Sequence, residues 1–170
     1  MVQYSSTAQA HQKFVVFSLE DQQYGIRISK VREIVKWAKV TRLPQTSDQI
    51  CGIRNLRGEI VPIISLRSRF GLPEPAHIEN SKIIILEIGD SLFGAVVDSV
   101  DEVMEIETSA IQEPPDSISG QLVSFVDGVA QSDNGLTVII DVERLFTNGE
   151  QEQFIEAALT TDSVYSVASK

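Results

Sequence analysis

"YGIRISKVREIV" (residues 24–35) and "FGAVVDSVDEVM" (residues 93–104) decide how this chain is read, because they are two copies of one plan. Setting Tyr24 on Phe93 pairs Gly25 with Gly94, Val31 with Val100 and Glu33 with Glu102, and places Ser29 on Asp98, both residues of the N-cap type. Each copy follows an apolar run and a break: "FVVFSL" (14–19) with "EDQQ", and "KIIILEI" (82–88) with Gly89 and Asp90. Each therefore reads as a hairpin. A second likeness lies further on, where setting Ile63 on Ile139 aligns "PIISLRSRF" (62–70) with "VIIDVERLF" (138–146), so that Ile63, Ile64 and Phe70 recur as Ile139, Ile140 and Phe146.

Both halves also carry a second hairpin. In the first, Gly52 to Leu56 and Ile60 to Leu66 flank a turn at Arg57 and Gly58; in the second, "LVSFVDGVA" and "LTVIID" flank Asn134-Gly135, a strong two-residue turn signal. Between hairpins, Ser29 is placed to cap a helix of about two turns whose Val31, Ile34 and Val35 fall at helical spacing. Asp101 and Glu102 then sit adjacent on the matching short helix, pointing different ways on a solvated face. Many short strands, close turns and only short helices predict a mainly β chain of two small, partly open barrels. The expected division is a flexible terminus over 1–12, two lobes over about 13–80 and 81–147, and a polar tail over 148–170 with a short helix at "EQFIEAAL" (152–159).

Composition narrows the function. Fourteen basic against 24 acidic residues leave a net charge of -10, which repels phosphate backbones and anionic membrane surfaces, so nucleic acid is not expected as a partner. With 42% hydrophobic residues the chain builds a core without staples; the lone Cys51 forms no intrachain disulfide, and His11 and His77 lie too far apart for metal-ligand spacing. The N-terminal residues lack the apolar stretch of a secretion signal and no run is long enough to span a bilayer, so a soluble cytoplasmic protein is expected. No G-x-S-x-G, Cys/His pair or calcium loop occurs, and "GDSLFG" lacks the Gly-Lys-Ser/Thr of a phosphate loop. No catalytic, cofactor or metal residue is assigned, and a binding protein is expected.

The repeat also acts as an internal control. Pro62 falls on Val138, so the shared strand geometry does not require a proline; it suggests a sheet edge or a bulge open to a partner. Arg57 falls on Asp133, so related hairpin tips carry opposite charge. Val31, Ile34, Val35 and Trp37 are too many apolar residues for one inward helical face, which leaves part of that face for an interface.

Three stretches, "FVVFSLEDQQYGIRISKVREIV", "ICGIRNLRGEIVPIISLRSRFGL" and "FGAVVDSVDEVMEI", give the chain a specific resemblance to the CheW family of chemotaxis coupling proteins over roughly residues 13–147. Asn55 to Gly58, Pro62 and Leu66-Arg67 match the family pattern, while Ser65 stands where the family usually has Asp; Asp141 keeps an acid at the equivalent place in the second half. The resemblance implies two intertwined five-stranded barrels like those of SH3 domains, with strand exchange between lobes. It implies a non-enzymatic adaptor joining the cytoplasmic tip of methyl-accepting chemoreceptors to the regulatory domain of the histidine kinase CheA, recruited to membrane receptor arrays without inserting in the bilayer. A surface-motility pathway would be served by the same surface, and ring or array assembly stays open. Carried onto this sequence, Val31, Glu33, Ile34, Val97 and Val100 become the receptor groove, and Leu43, Pro44, Arg57, Gly58 and Pro62 the kinase-docking surface.

Overall fold

Runs such as "KIIILEI" are apolar on both faces because their strands are buried on both. A computed structural model describes residues 10–42, 50–114, 124–132 and 135–145. Its strands are β1 (His11–Leu19), β2 (Gln22–Arg27), β3 (Val31–Lys36), β4 (Ile50–Leu56), β5 (Glu59–Ser65), β6 (Lys82–Ile88), β7 (Ser91–Val97), β8 (Ser99–Glu107), β9 (Val126–Ser132) and β10 (Gly135–Ile140), with a one-turn helix α1 (Leu66–Arg69). They form two five-stranded sheets, ordered β8-β1-β2-β10-β9 and β3-β6-β7-β5-β4. Shifting each strand by five places converts one order into the other, so the sequence repeat is a repeat of architecture. Each sheet curls toward closure through one bridge between its outer strands' flanks, Thr41 with Ile53 and Gln112 with Val129. The result is a pair of small SH3-like barrels.

The barrels do not divide at residue 80. β1 and β2 join β8, β9 and β10, while β6 and β7 join β3, β4 and β5. The chain crosses between sheets through the 3₁₀ turn Ile28–Lys30, and again at Asp98 between β7 and β8. Inside each sheet the exchanged strand runs parallel to its new neighbour, which sets Ile139 beside Gly25 and Ile63 beside Gly94. A Cβ on Gly94 would lie 2.5 Å from Ile63 Cδ1 and one on Gly25 would lie 3.2 Å from Ile139 Cδ1. The repeated glycines are therefore where two aliphatic strands pass at close range.

A shared core lies between the sheets and takes side chains from both, among them Phe17, Leu19, Ile64, Ile84, Phe93 and Ile140. The alternate faces fill two smaller clusters, one around Ile63, Ile83 and Ile85, the other around Phe14, Ala130 and Ile139. Burying each such side chain contributes on the order of 1.5–3 kcal/mol.

Several expectations need correction. Val31 to Lys36 is a strand, with burial alternating residue by residue, and Ser29 caps nothing; the 3₁₀ turn before it has no side-chain cap. β-Branched residues and pairing with β6 decide the matter. The segment with Asp101 and Glu102 is likewise a strand, β8. Val35 and Trp37, read as interface material, pack on the small cluster around Ile63. Pro62 is on no edge: β5 lies between β7 and β4, and Pro62 is buried opposite Ile53, one residue before the pairing with β7 begins. A bulge does fall close by, in β4 between Ile50 and Gly52. β1 starts at His11, inside the stretch expected to be flexible. Gly135 pairs with Ser132, and Asn134 of the expected Asn134-Gly135 turn lies outside the described residues. The tail over 148–170, with its expected helix, is also outside them.

Candidate functional site

The β4–β5 turn holds Arg57 at φ 54 and Gly58 at φ 90. Two successive positive φ values make a tight hairpin turn whose twist suits the strands, and they favour glycine or asparagine at both places. An arginine there costs about 1–2 kcal/mol of backbone strain. Asn55 offsets part of this by accepting, at Oδ1, the Gly58 N–H at 2.9 Å. The Arg57 side chain is 78% exposed, and one nitrogen, Nη1, donates to Glu33 Oε2 at 2.7 Å. The rest of the guanidinium faces water, available to a carboxylate partner.

This pair joins two surfaces that the resemblance kept apart, since Glu33 stands on β3 and Arg57 at the hairpin tip. Such an exposed ion pair contributes at most about 1 kcal/mol, so its consequence is positional.

Val31 and Val100 occupy equivalent places on β3 and β8, both half-buried against the shared core. Each is followed by a bulge: Arg32 is left out of the pairing with β6, and Asp101 out of the pairing with β1. Beyond the bulges Ile34 is 40% exposed and Val103 is 55% exposed. Val103 was not singled out from sequence, although the repeat sets it on Ile34. Val97 is a correction: it is 1% exposed and belongs to the core, because β7 is covered on both sides. Pro62 is likewise buried and offers no contact surface. Leu43 and Pro44 lie outside the described residues.

Sequence reasoning read Asp98 only as an N-cap type and Arg67 only as part of the family pattern, yet the two form the best-made ion pair among the described residues. Arg67 Nε donates to Asp98 Oδ1 at 2.8 Å and Nη2 to Oδ2 at 2.6 Å. Nη1 donates to the Pro73 carbonyl at 2.9 Å. Asp98 also accepts the Glu20 backbone N–H at 2.7 Å. The Arg67 hydrogen bonds, helped by that N–H, hold the Asp98 carboxyl below its usual pKa against the opposing effect of burial. Ser65, at the family's usual Asp position, accepts the Ser68 N–H at 3.1 Å and caps α1. Asp141 does the same for the 3₁₀ turn Val142–Arg144 by accepting from Glu143 N at 2.9 Å.

Burial, then the nearby Glu74, pushes the Cys51 thiol up to about 11, which keeps it protonated at neutral pH and a poor nucleophile. Among the described residues no three His, Cys, Asp or Glu side chains gather as a metal site. No helix there is long and apolar enough to cross a membrane.

Residues 13–150 match the CheW-like domain family. The chain is 35% identical over 139 residues to the chemotaxis protein CheW of Klebsiella aerogenes, covering 82% of this chain and 84% of that one. It is 34% identical over 130 residues to CheW of Bacillus subtilis, covering 76% and 83%. The fold superposes on the crystal structure of the scaffolding protein CheW from Thermoanaerobacter tengcongensis with a TM-score of 0.75 at 40% identity, covering 82% of this chain and 96% of that one.

Proposed function

The chain belongs to the CheW family, and from that premise we propose that it is a non-enzymatic chemotaxis adaptor coupling chemoreceptors to the histidine kinase CheA in the cytoplasm. The observation that carries the reading is the shared fold with a scaffolding protein at 40% identity over most of both chains. An adaptor needs two docking surfaces in fixed relation. The first, for a receptor tip, is built on β3 and β8: Val31 and Val100 at its base, Ile34 and Val103 standing out, and Glu33 at its rim. An amphipathic helical hairpin would lay its apolar ridge there. The second, for the kinase regulatory domain, centres on Arg57 and Gly58 at the strained hairpin tip.

Calorimetric titration of the full chain with a CheA regulatory domain and, separately, with a receptor tip fragment of the same organism tests this. Saturable binding to both is expected. Arg57→Ala is expected to weaken kinase binding about tenfold, the cost of one charge-assisted contact. Failure to bind either partner while the circular dichroism stays that of a folded β protein would overturn the reading.

A further inference from the structure

Asp98 is the single residue by which the chain passes from β7 in one barrel to β8 in the other. Two separate elements grip it. Arg67, on α1, holds both carboxylate oxygens, and the β1–β2 turn donates Glu20 N–H to Oδ2 at 2.7 Å while Ser18 O accepts the Asp98 N–H at 3.1 Å. The grip continues along β8. Asp101, the bulged residue, accepts at Oδ2 from Ser18 Oγ at 2.5 Å and from Gln23 Nε2 at 3.2 Å, and at Oδ1 from Ser99 Oγ at 3.0 Å. Val100 sits between these two anchored carboxylates.

The other end of the grip leads to the second docking surface. α1 follows directly on β5, and β5 runs from the Arg57–Gly58 turn. Arg67 therefore moves with the hairpin strand, and Asp98 moves with the strand that carries Val100 and Val103. We propose that the Arg67–Asp98 latch is a positioning device that transmits occupancy of the receptor surface on β8 to the kinase surface at the β4–β5 tip. The inference rests on the adaptor reading and adds a route through the fold, separate from the surface contact of Arg57 with Glu33. A receptor ridge pressed on Val100 and Val103 bears on the crossover, and the planar two-oxygen grip of Arg67 passes the displacement to α1 and β5.

The equivalent place in the other half supplies a control. There the crossover turn Ile28–Lys30 is tied to the turn after β10 by Lys30 Nζ and Glu143 Oε1 at 2.7 Å, one contact with side chains 38% and 42% exposed, against 15% for Arg67. A flexible, solvated contact of this kind passes on little displacement.

The test is linkage, measured on the full chain by titrating the CheA regulatory domain alone and in the presence of saturating receptor tip fragment. Wild type is expected to show kinase dissociation constants differing at least about fivefold between the two titrations. In Asp98→Asn and Arg67→Lys that ratio is expected to fall to within about twofold of one, with both partners still binding singly. Lys30→Ala is expected to keep the wild-type ratio. Arg67→Lys keeps the charge and is the variant to use should Asp98→Asn fail to fold. A wild-type ratio of one, or an unchanged ratio in Arg67→Lys, overturns the latch while leaving the adaptor standing. Failure of wild type to bind either partner overturns both.

Discussion

The two crossovers between barrels are made at equivalent places with reversed charge. In one, a cation after β5 holds an anion in the linker, Arg67 on Asp98; in the other, an anion after β10 meets a cation in the linker, Glu143 on Lys30. The first is mostly enclosed and held through both oxygens; the second is open to water and held through one. Both linkers are thus tied by an ion pair, with the sign of charge reversed between them. Where the tie is enclosed, its loss leaves a charge short of water; where it is open, water replaces it.

The sharpest way to break the comparison is Arg67→Ala, which leaves Asp98 partly buried without its cation and is expected to cost about 2–4 kcal/mol in denaturant unfolding. Glu143→Gln is expected to cost under about 0.5 kcal/mol in the same measurement. Equal losses would mean that enclosure is not what distinguishes them. The pH dependence has a definite sign. Because Asp98 titrates lower in the folded protein than in the unfolded chain, its contribution is complete above the ordinary carboxylate pKa of about 3.9. It is lost as the pH falls through the depressed folded value. The stability difference between wild type and Asp98→Asn should therefore be flat from neutral pH down to about pH 5 and shrink below about pH 4.

The parallel crossings give a second contrast. Gly94→Ala drives a methyl group within 2.5 Å of Ile63 Cδ1 and 2.9 Å of Ile83 Cγ2, whereas at Gly25 the nearest atom is 3.2 Å away. The first substitution is expected to lower stability by about 1–3 kcal/mol and the second by under about 1 kcal/mol. A melting curve for each decides whether the two barrels are equally tight at that point. A third contrast concerns Thr137, whose buried hydroxyl has no hydrogen-bond partner among the described residues, while the repeat places Val61 at the same site. Thr137→Val should raise stability by roughly 1 kcal/mol, and a loss would show that the hydroxyl is satisfied.

The hairpins were legible because their information is local: apolar runs broken by Gly58 or Gly89 at a turn. The strands after the crossovers were not. "VREIVK" puts Val31, Ile34 and Val35 at helical spacing and equally puts Val31, Glu33 and Val35 on one face of a strand. Only pairing with β6, with Arg32 bulged out, selects the second. The same ambiguity hid Val103, while Val97 entered through the resemblance, which does not show that β7 is covered on both sides. Pro62 was misread because a strand proline suggests an edge, while here it is buried just before a parallel ladder begins. Arg57 and Glu33 were both named, but their contact was not, and Arg67 and Asp98 lie 31 residues apart with no local pattern linking them.

The exchange of strands between barrels also orders events in time. Ser18 on β1 meets Asp101 on β8 across 83 residues, and β2 meets β10 further on still. A ribosome adding about 5–20 residues per second makes the β1–β2 hairpin and then, for on the order of ten seconds, none of the strands that flank it. Through that interval the first hairpin presents two open edges, and β3 to β5 lack the central pair of their own sheet. The sheet of β3 to β7 has all its strands once Val97 is made, whereas the sheet that holds the first hairpin waits for β10 to end at Ile140, so the barrel begun first is the last to close.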